Sequence, residues 1–407
     1  QDTNNLQEEL TELLLGSHRN LFCVGDDWQA VYGFRGSNVN HFLRFAKKYK
    51  DAKIFRLEEN YRSANEIVQV ANDLIDYNPD KMDKKCFSKK KGGVIEIYDF
   101  LSDTQEAEWV AKRIIGLHQK GAGISCDRIA VMYRTRFCSL PFEKIFRTFR
   151  IPYTLKGAQG FFERMEILDM HSYLNAALFP NDDVSFERIL NTPKRGVGPA
   201  MLKKIADIRT EGVSLSQAAR IMVRDRLLST KVHGELSSLF EVLDEIVKLP
   251  PALAMQTVIE KTGYLDYLQK KTKTPAEFDS KKENIEQVIY TAREKDSLLE
   301  YLEEASLIRE DRDNDEEEAS GGVSLLTIHS AKGLEYEVVF IVGCEERFFP
   351  HWRSINSGDA ALFEERRLMY VAMTRAERFL YMTHANYRKG DFASKSRFIG
   401  QIQECLS

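Results

Sequence analysis

At 407 residues the chain is too long for one ordinary core and is expected to form two or three domains, each burying enough apolar surface to fold. Apolar and charged residues, 43% and 29%, sit near the averages of globular proteins, and no run approaches the roughly 18 apolar residues of a membrane span, which argues against membrane insertion. The net charge of -4 offers no general attraction for phosphate backbones, so nucleic-acid binding would have to come from local patches and aromatic platforms.

Gln1 is not a natural start, and Gln1 to Leu15 lacks the basic flank and apolar centre of a secretion signal, so the chain reads as a fragment. Asn20 to Val24 is an apolar run that predicts a strand ending in the turn Gly25-Asp26-Asp27. Ser63 followed by Glu66 has the pattern of a capping box, and Ile67, Val70, Ala71, Leu74 and Ile75 keep helical spacing after it. The alternation implies a mainly parallel sheet with helices on both faces. Asn78 to Gly93, with Pro79 and several lysines, reads as an exposed linker.

A second α/β domain begins at Val94, with a strand at Ile95 to Tyr98, a helix from Gln105 to Gln119 ending before Gly121, and a strand at Ile129 to Tyr133. Between Phe179 and Ser320 the pattern is almost wholly helical and closes in the acidic stretch Glu310 to Glu318, as an inserted domain would. Strands return after Gly321-Gly322 at Ser324 to Ile328, Val338 to Val342 and Phe379 to Thr383, with a helix from Ala361 to Met373. The expected division is therefore 1–90, 91–178, 179–320 and 321–407, the last two α/β stretches forming one domain split by the helical insertion. Six scattered cysteines with no CxxC pair and no histidine cluster favour reduced thiols in cytoplasm.

Four stretches carry residue types suited to chemistry. Val24-Gly25-Asp26-Asp27-Trp28-Gln29-Ala30-Val31-Tyr32-Gly33-Phe34-Arg35-Gly36 gathers polar and aromatic groups in a turn, although alone it also fits an ordinary strand-turn-helix. Leu57-Glu58-Glu59-Asn60-Tyr61-Arg62-Ser63 sets an arginine at a helix start, and alone it also fits a surface arginine beside a packed tyrosine. Leu326-Thr327-Ile328-His329-Ser330-Ala331-Lys332-Gly333-Leu334-Glu335 packs small and polar residues where backbone can approach a ligand. Glu364-Glu365-Arg366-Arg367-Leu368-Met369-Tyr370-Val371-Ala372-Met373-Thr374-Arg375-Ala376 is helical, with many charges expected as surface i,i+4 partners.

In this order the four resemble the third, fourth, fifth and sixth motifs of the UvrD/PcrA/Rep-type superfamily 1 DNA helicases, and the matches run from Gln1-Asp2-Thr3-Asn4 to Ser396-Arg397-Phe398-Ile399-Gly400. The resemblance implies RecA-like P-loop NTPase motor domains of α/β class, the second one split by the mostly helical insertion. It implies that Gln29 senses the γ-phosphate of ATP, that Arg62 and Arg375 contact it from different domains, that Tyr61 stacks on adenine and that Glu335 holds the ribose. An arginine at the transferring phosphoryl group can contribute about 10³ to 10⁵ in rate. Tyr32, Phe34, Arg35, Thr327 and His329 would meet the DNA strand. Stacking explains the rings, since every base has a π-face. Phe34 stands where the family usually has Trp.

Further matches follow the family order. Asn191 to Gly198 precedes a helix, where Gly196 and Gly198 would receive a duplex phosphate, although a plain loop and cap fits too. Asn386-Tyr387-Arg388-Lys389-Gly390 follows the last strand where the family has a hairpin at the strand-separation junction, with Tyr387 as the wedge. The aromatics of Gly160 to Ile167 read as core. The opening Gln-Asp-Thr-Asn resembles the tail of the second motif, whose Mg²⁺-holding carboxylates would lie upstream, and no G-x-x-x-x-G-K-[ST] occurs, so the fragment alone is not expected to hydrolyse ATP. The implied protein is an ATP-dependent 3′-5′ helicase of bacterial cytoplasm and nucleoid, acting on single-stranded DNA and single/double-strand junctions with repair or replication partners. The competing reading is a non-enzymatic DNA-binding or partner-docking module on the same fold.

Overall fold

Strands buried on both faces need apolar residues at every position, and the later part of the chain supplies them. In the computed structural model, which describes residues 1–16, 20–119, 123–156, 161–293, 295–306, 321–388 and 390–406, these runs form one sheet. Its strands are β1 (Val94–Ser102), β2 (Ile129–Tyr133), β3 (Tyr153–Lys156), β4 (Val323–Thr327), β5 (Tyr336–Val342), β6 (Ala376–Arg388) and β7 (Asp391–Phe392). The order is β1-β6-β5-β2-β4-β3, all parallel, with β7 antiparallel to β6.

Successive side chains point to opposite faces, and each face has its own core. Ala130, Met132, Leu326, Val339, Ile341, Leu380 and Met382 meet the helices Asn65–Asp76, Asp359–Met373 and Arg397–Leu406. Ile129, Val131, Tyr133, Val323, Leu325, Val338, Phe340 and Tyr381 meet Asp103–Gln119 and Leu140–Thr148. The result is three layers, α/β/α.

The chain divides into two compact units, Gln1–Ala158 with Ala319–Ser407, and Gln159–Glu318. The second unit is helical from Met165–Leu178 through Pro275–Ala292. Buried polar groups order its interior: Asp169 accepts from Tyr264 Oη at 2.6 Å and from Arg188 Nε at 2.7 Å, and Asn284 donates to Glu166 at 2.6 Å. The acidic stretch Glu310 to Glu318, Gly121, Gly160 and Lys389 lie outside the described residues.

Three local expectations are corrected. Asn20 to Val24 is not a strand: it pairs with no neighbour among the described residues, and Phe22 and Val24 are 86% and 78% exposed, so the apolar run lacks the burial that makes such a run a strand. Ser63 is not a helix cap. The helix starts at Asn65 with Ala64 as its cap residue, and Glu66 accepts instead from the backbone N–H groups of Gly92 and Gly93 at 3.1 and 3.0 Å. The stretch 78–93 does not run free as a linker. Lys84 reaches back to Asp26 and Asp27 and lies 4.5 Å from the Trp28 ring centroid, and Asn78 is buried.

The turn before that helix rests on Asn60, whose Oδ1 accepts from the backbone N–H groups of Arg62 at 2.8 Å and Ser63 at 2.9 Å, while the buried Ser63 Oγ has no hydrogen-bond partner. Ser63→Ala removes a buried hydroxyl that has no partner and is therefore expected to leave stability unchanged or to raise it by up to about 1 to 3 kcal/mol. Asn60→Ala is expected to cost about 1 to 3 kcal/mol by stranding two amides. Denaturant midpoints of the two variants check this, and a loss of stability for Ser63→Ala would contradict it.

Candidate functional site

Arg375 ends the helix Asp359–Met373 and its connection to β6, and its guanidinium is buried. Carbonyls hold it: Nε donates to Val371 O at 3.1 Å and Nη1 to Leu334 O at 3.2 Å, while Nη2 reaches Gln29 Oε1 at 3.4 Å. Gln29 in turn donates from Nε2 to Asp26 Oδ2 at 2.6 Å. Burial first, and then the nearby positive charge of Arg62, push the Arg375 pKa down to about 10. Arg62 donates from Nε to Glu335 Oε2 at 2.8 Å, and this bond holds the Glu335 carboxyl below its ordinary range. Gln29, Arg62, Glu335 and Arg375 are thus one cluster. Tyr61 beside it is 74% exposed, with its hydroxyl on Glu59 at 3.1 Å, so its ring is open for stacking.

The charges of the helix Asp359–Met373 are not a solvated face. Glu365 and Arg366 are buried, and Glu364 and Arg367 turn onto the loop that carries Gln29. Glu364 Oε1 accepts from the Gly33 N–H at 2.9 Å, and Arg367 Nε donates to Ala30 O at 2.8 Å. A Cβ at position 33 would lie 2.2 Å from Glu364 Oε2, so a side chain there would push the carboxylate away from the amide it accepts from. Trp28 packs edge-on against Tyr370 with ring centroids 5.5 Å apart. Lys332 donates to Gln29 O at 2.8 Å and to Asp2 Oδ2 at 2.6 Å. Sequence reasoning missed Glu364, Arg367, Lys332 and Lys84. Only the motif context of the first three could have signalled them.

The residues expected to face DNA fall in three places. Tyr32 donates to His329 O at 3.4 Å, and the cations of Lys332 and Arg35 stand 4.8 and 5.2 Å from its ring centroid, with Arg35 itself exposed. The Phe34 side chain lies outside the described residues. Thr327 ends β4 and its Oγ1 accepts from Ser330 N at 3.3 Å, capping the turn that presents His329. Glu365 binds Arg134 through both its oxygens, and Arg134 lies close enough to His329 to disfavour its protonation.

Tyr387 does not follow the last strand but lies within it, since β6 runs to Arg388, and it pairs with Phe392 of β7. In the helical unit Gly196 takes φ +76° and Gly198 is the cap residue of the helix Pro199–Asp207. Their loop is stiffened by the buried Arg195, which donates to Ile189 O and to Tyr173 Oη, both at 2.7 Å. Phe161 and Phe162 are buried. No group of three or more His, Cys, Asp or Glu placed to hold a metal ion occurs among the described residues.

Residues 55–387 match the family profile of the UvrD-like helicase C-terminal domain, and residues 1–50 match that of the UvrD/REP helicase N-terminal domain. The chain belongs to the UvrD-like helicase family. Among curated proteins it is 38% identical over 425 aligned positions to the ATP-dependent DNA helicase PcrA of Staphylococcus epidermidis, and 37% identical to the protein of that name from Staphylococcus aureus. Each alignment covers 100% of this chain and 57% of the relative, so the chain spans little more than half the length of the curated relatives it matches.

Membership of the UvrD-like family gives the segment 328–335 its interest. It leaves the carboxyl end of β4 and enters the amino end of β5, two strands that both run parallel to β2, so His329 and Glu335 lie at opposite ends of the sheet. Open α/β sheets usually bind ligands at their carboxyl ends. Here the arginine cluster lies at the amino ends of β5 and β6, and the turn bearing His329 at the carboxyl end of β4.

Burial first, and then Arg134, lower the His329 pKa from 6.5 to about 3. A base whose folded pKa is depressed binds its proton more readily unfolded, so its contribution to stability is full above about pH 6.5 and is lost as pH falls towards 3. His329→Asn should flatten the fall in Tm between pH 6.5 and 5 relative to wild type. Parallel slopes for the two proteins would contradict the assignment.

Proposed function

We propose that this chain forms part of an ATP-dependent DNA translocase and helicase that moves 3′ to 5′ on single-stranded DNA and opens the duplex ahead of it. The convergence of Arg62 and Arg375 with Gln29 carries the reading. Arg62 pairs with Glu335 whereas Arg375 is held by carbonyl oxygens, so the two guanidiniums together leave positive charge that a polyphosphate would neutralise. Phosphoryl transfer asks a protein mainly for positioning and charge stabilisation on the transferring group, which arginines supply.

In this reading Gln29 senses the γ-phosphate, Tyr61 stacks on the base and Glu335 holds the ribose. Arg62 and Arg375 belong to one compact unit and not to different domains, so ATP binding brings the phosphates to an arginine pair already in place. Tyr32, Phe34, Arg35, Thr327 and His329 follow the DNA strand. Gly196 and Gly198 offer backbone N–H groups at a helix N-terminus to a duplex phosphate. Tyr387 stands at the single/double-strand junction as the wedge. The protein works in bacterial cytoplasm on the nucleoid, with repair or replication proteins as partners, and no described helix is long and apolar enough to cross a membrane.

In full-length protein containing this chain, Arg62→Ala and Arg375→Ala should each lower DNA-stimulated ATP hydrolysis by about 10³-fold or more. Thermal melts run alongside report whether the variants are folded. Unchanged turnover in both folded variants would sink the assignment. Tyr387→Ala should slow duplex unwinding more than translocation along a single strand, and equal losses in the two assays would remove its wedge role.

A further inference from the structure

The carboxyl end of β6 buries a charge that the hydrophobic core does not need. The Arg388 guanidinium is enclosed by protein and faces two fully buried carboxylates. It donates to Glu345 from Nε at 2.6 Å and from Nη2 at 2.9 Å, and to Glu106 from Nη2. The carboxylates are further satisfied. Glu106 Oε1 accepts from Thr383 Oγ1 at 2.6 Å and from Gly343 N at 3.1 Å, and Glu345 Oε1 accepts from Ala385 N at 2.6 Å. Apolar side chains of similar volume often stabilise a core as well as a buried ion pair does, so the weight here falls on which segments the ions tie together.

The geometry fixed here is that of the β6-β7 hairpin. The cluster ties together the helix after β1 through Glu106, the turn after β5 through Glu345, and β6 through Thr383, Ala385 and Arg388. The returning segment is stitched to the same turn, with Glu346 N on Ser394 O and Ser396 N on Cys344 O, both at 2.9 Å. Arg397 adds a two-pronged bond to Glu346. Neighbouring strand residues point oppositely, so Arg388 turned inward leaves Tyr387 turned outward. Tyr387 and its partner Phe392 are 45% and 73% exposed, with ring centroids 5.9 Å apart and planes at 78°. Two exposed rings above a rigid, buried ionic foot are suited to the π-face of a base rather than to phosphate.

We propose that Arg388, Glu106 and Glu345 are positioning residues that hold Tyr387 and Phe392 as a two-ring platform for the last base pair at the junction, with Phe392 itself touching DNA. The proposal rests on the reading of Tyr387 as the wedge. Stacking of one ring on a base makes a fivefold or larger contribution, so losing Phe392 should slow unwinding by about fivefold or more.

The test uses full-length protein and a duplex with a 3′ single-stranded tail carrying 2-aminopurine in its last base pair. Unwinding, single-strand translocation, DNA-stimulated ATP hydrolysis and Tm are measured for Tyr387→Ala, Phe392→Ala, Phe392→Tyr and Arg388→Lys. Phe392→Ala and Arg388→Lys are expected to slow unwinding and abolish the 2-aminopurine fluorescence change on binding, with translocation and hydrolysis near wild type, and with Tm unchanged for Phe392→Ala but lowered for Arg388→Lys, which loses the two-pronged hold on Glu345. Phe392→Tyr is expected to restore both. If Tyr387→Ala slows unwinding selectively while Phe392→Ala and Arg388→Lys leave it unchanged, the platform is wrong and the wedge stands. If Tyr387→Ala slows translocation equally, the wedge reading falls and the platform with it. Should Arg388→Lys fail to fold, Thr383→Val removes one of the two hydrogen bonds to Glu106 Oε1 while keeping the ion pair. Normal unwinding and an unaltered 2-aminopurine signal in that variant would overturn the positioning role.

Discussion

The grip of Glu364 and Arg367 on the backbone of residues 30–33 is the interaction on which the rest of the site depends. One carboxylate takes an amide and one guanidinium takes a carbonyl, so a helix near the end of the chain holds a loop near its start. Hydrogen bonds to charged groups are about twice as strong as neutral ones, and partial burial shields these from competing water. The consequence reaches Gln29, whose side chain meets Arg375 only because the loop is pressed against the same helix. Lys332 closes the arrangement from the other side by bonding the Gln29 carbonyl.

Burial of charge recurs through the molecule with a consistent purpose. Glu365 holds Arg134 and also accepts from His351 N and Ser354 Oγ, so one carboxylate ties two separate segments to its own helix beside His329. The cluster under β6 does the same for the hairpin. Desolvating such groups is costly and is offset only when every donor and acceptor is met, which these groups nearly achieve. Rigidity at these points leaves the exposed groups, Tyr61, Arg35 and Tyr387, presented from fixed foundations.

The central parallel strands were legible because a strand covered on both faces is a nearly continuous apolar run, and β2 was read at its full length from Ile129 to Tyr133, whereas the short edge strand β3, with the mixed sequence Tyr-Thr-Leu-Lys, was not read. The same rule misled at Asn20 to Val24, where the apolar pattern exists without neighbouring strands to bury it. Ser63 and Glu66 matched a capping spacing, yet Asn60 had already taken the amides of the turn and shifted the helix start onward. Short local motifs named Gln29, Arg62, Glu335 and Arg375, and the structure brings them together. It could not be read locally that Glu364 and Arg367 leave the solvent face, because their partners are set by tertiary packing. A helix rich in alternating charge looks solvated until its neighbour is known.

The absence of a side chain at Gly33 makes room for the carboxylate that holds it. Glu364 fills the space a Cβ would need, and the two positions are 331 residues apart in the chain. Any change that adds a side chain at 33 has to be met by a shorter or displaced residue at 364, and a Glu364 lost alone leaves an amide without its acceptor. A side chain at 33 and the bond from Gly33 to Glu364 therefore exclude each other, so the hold of helix on loop can be broken from either end of the chain.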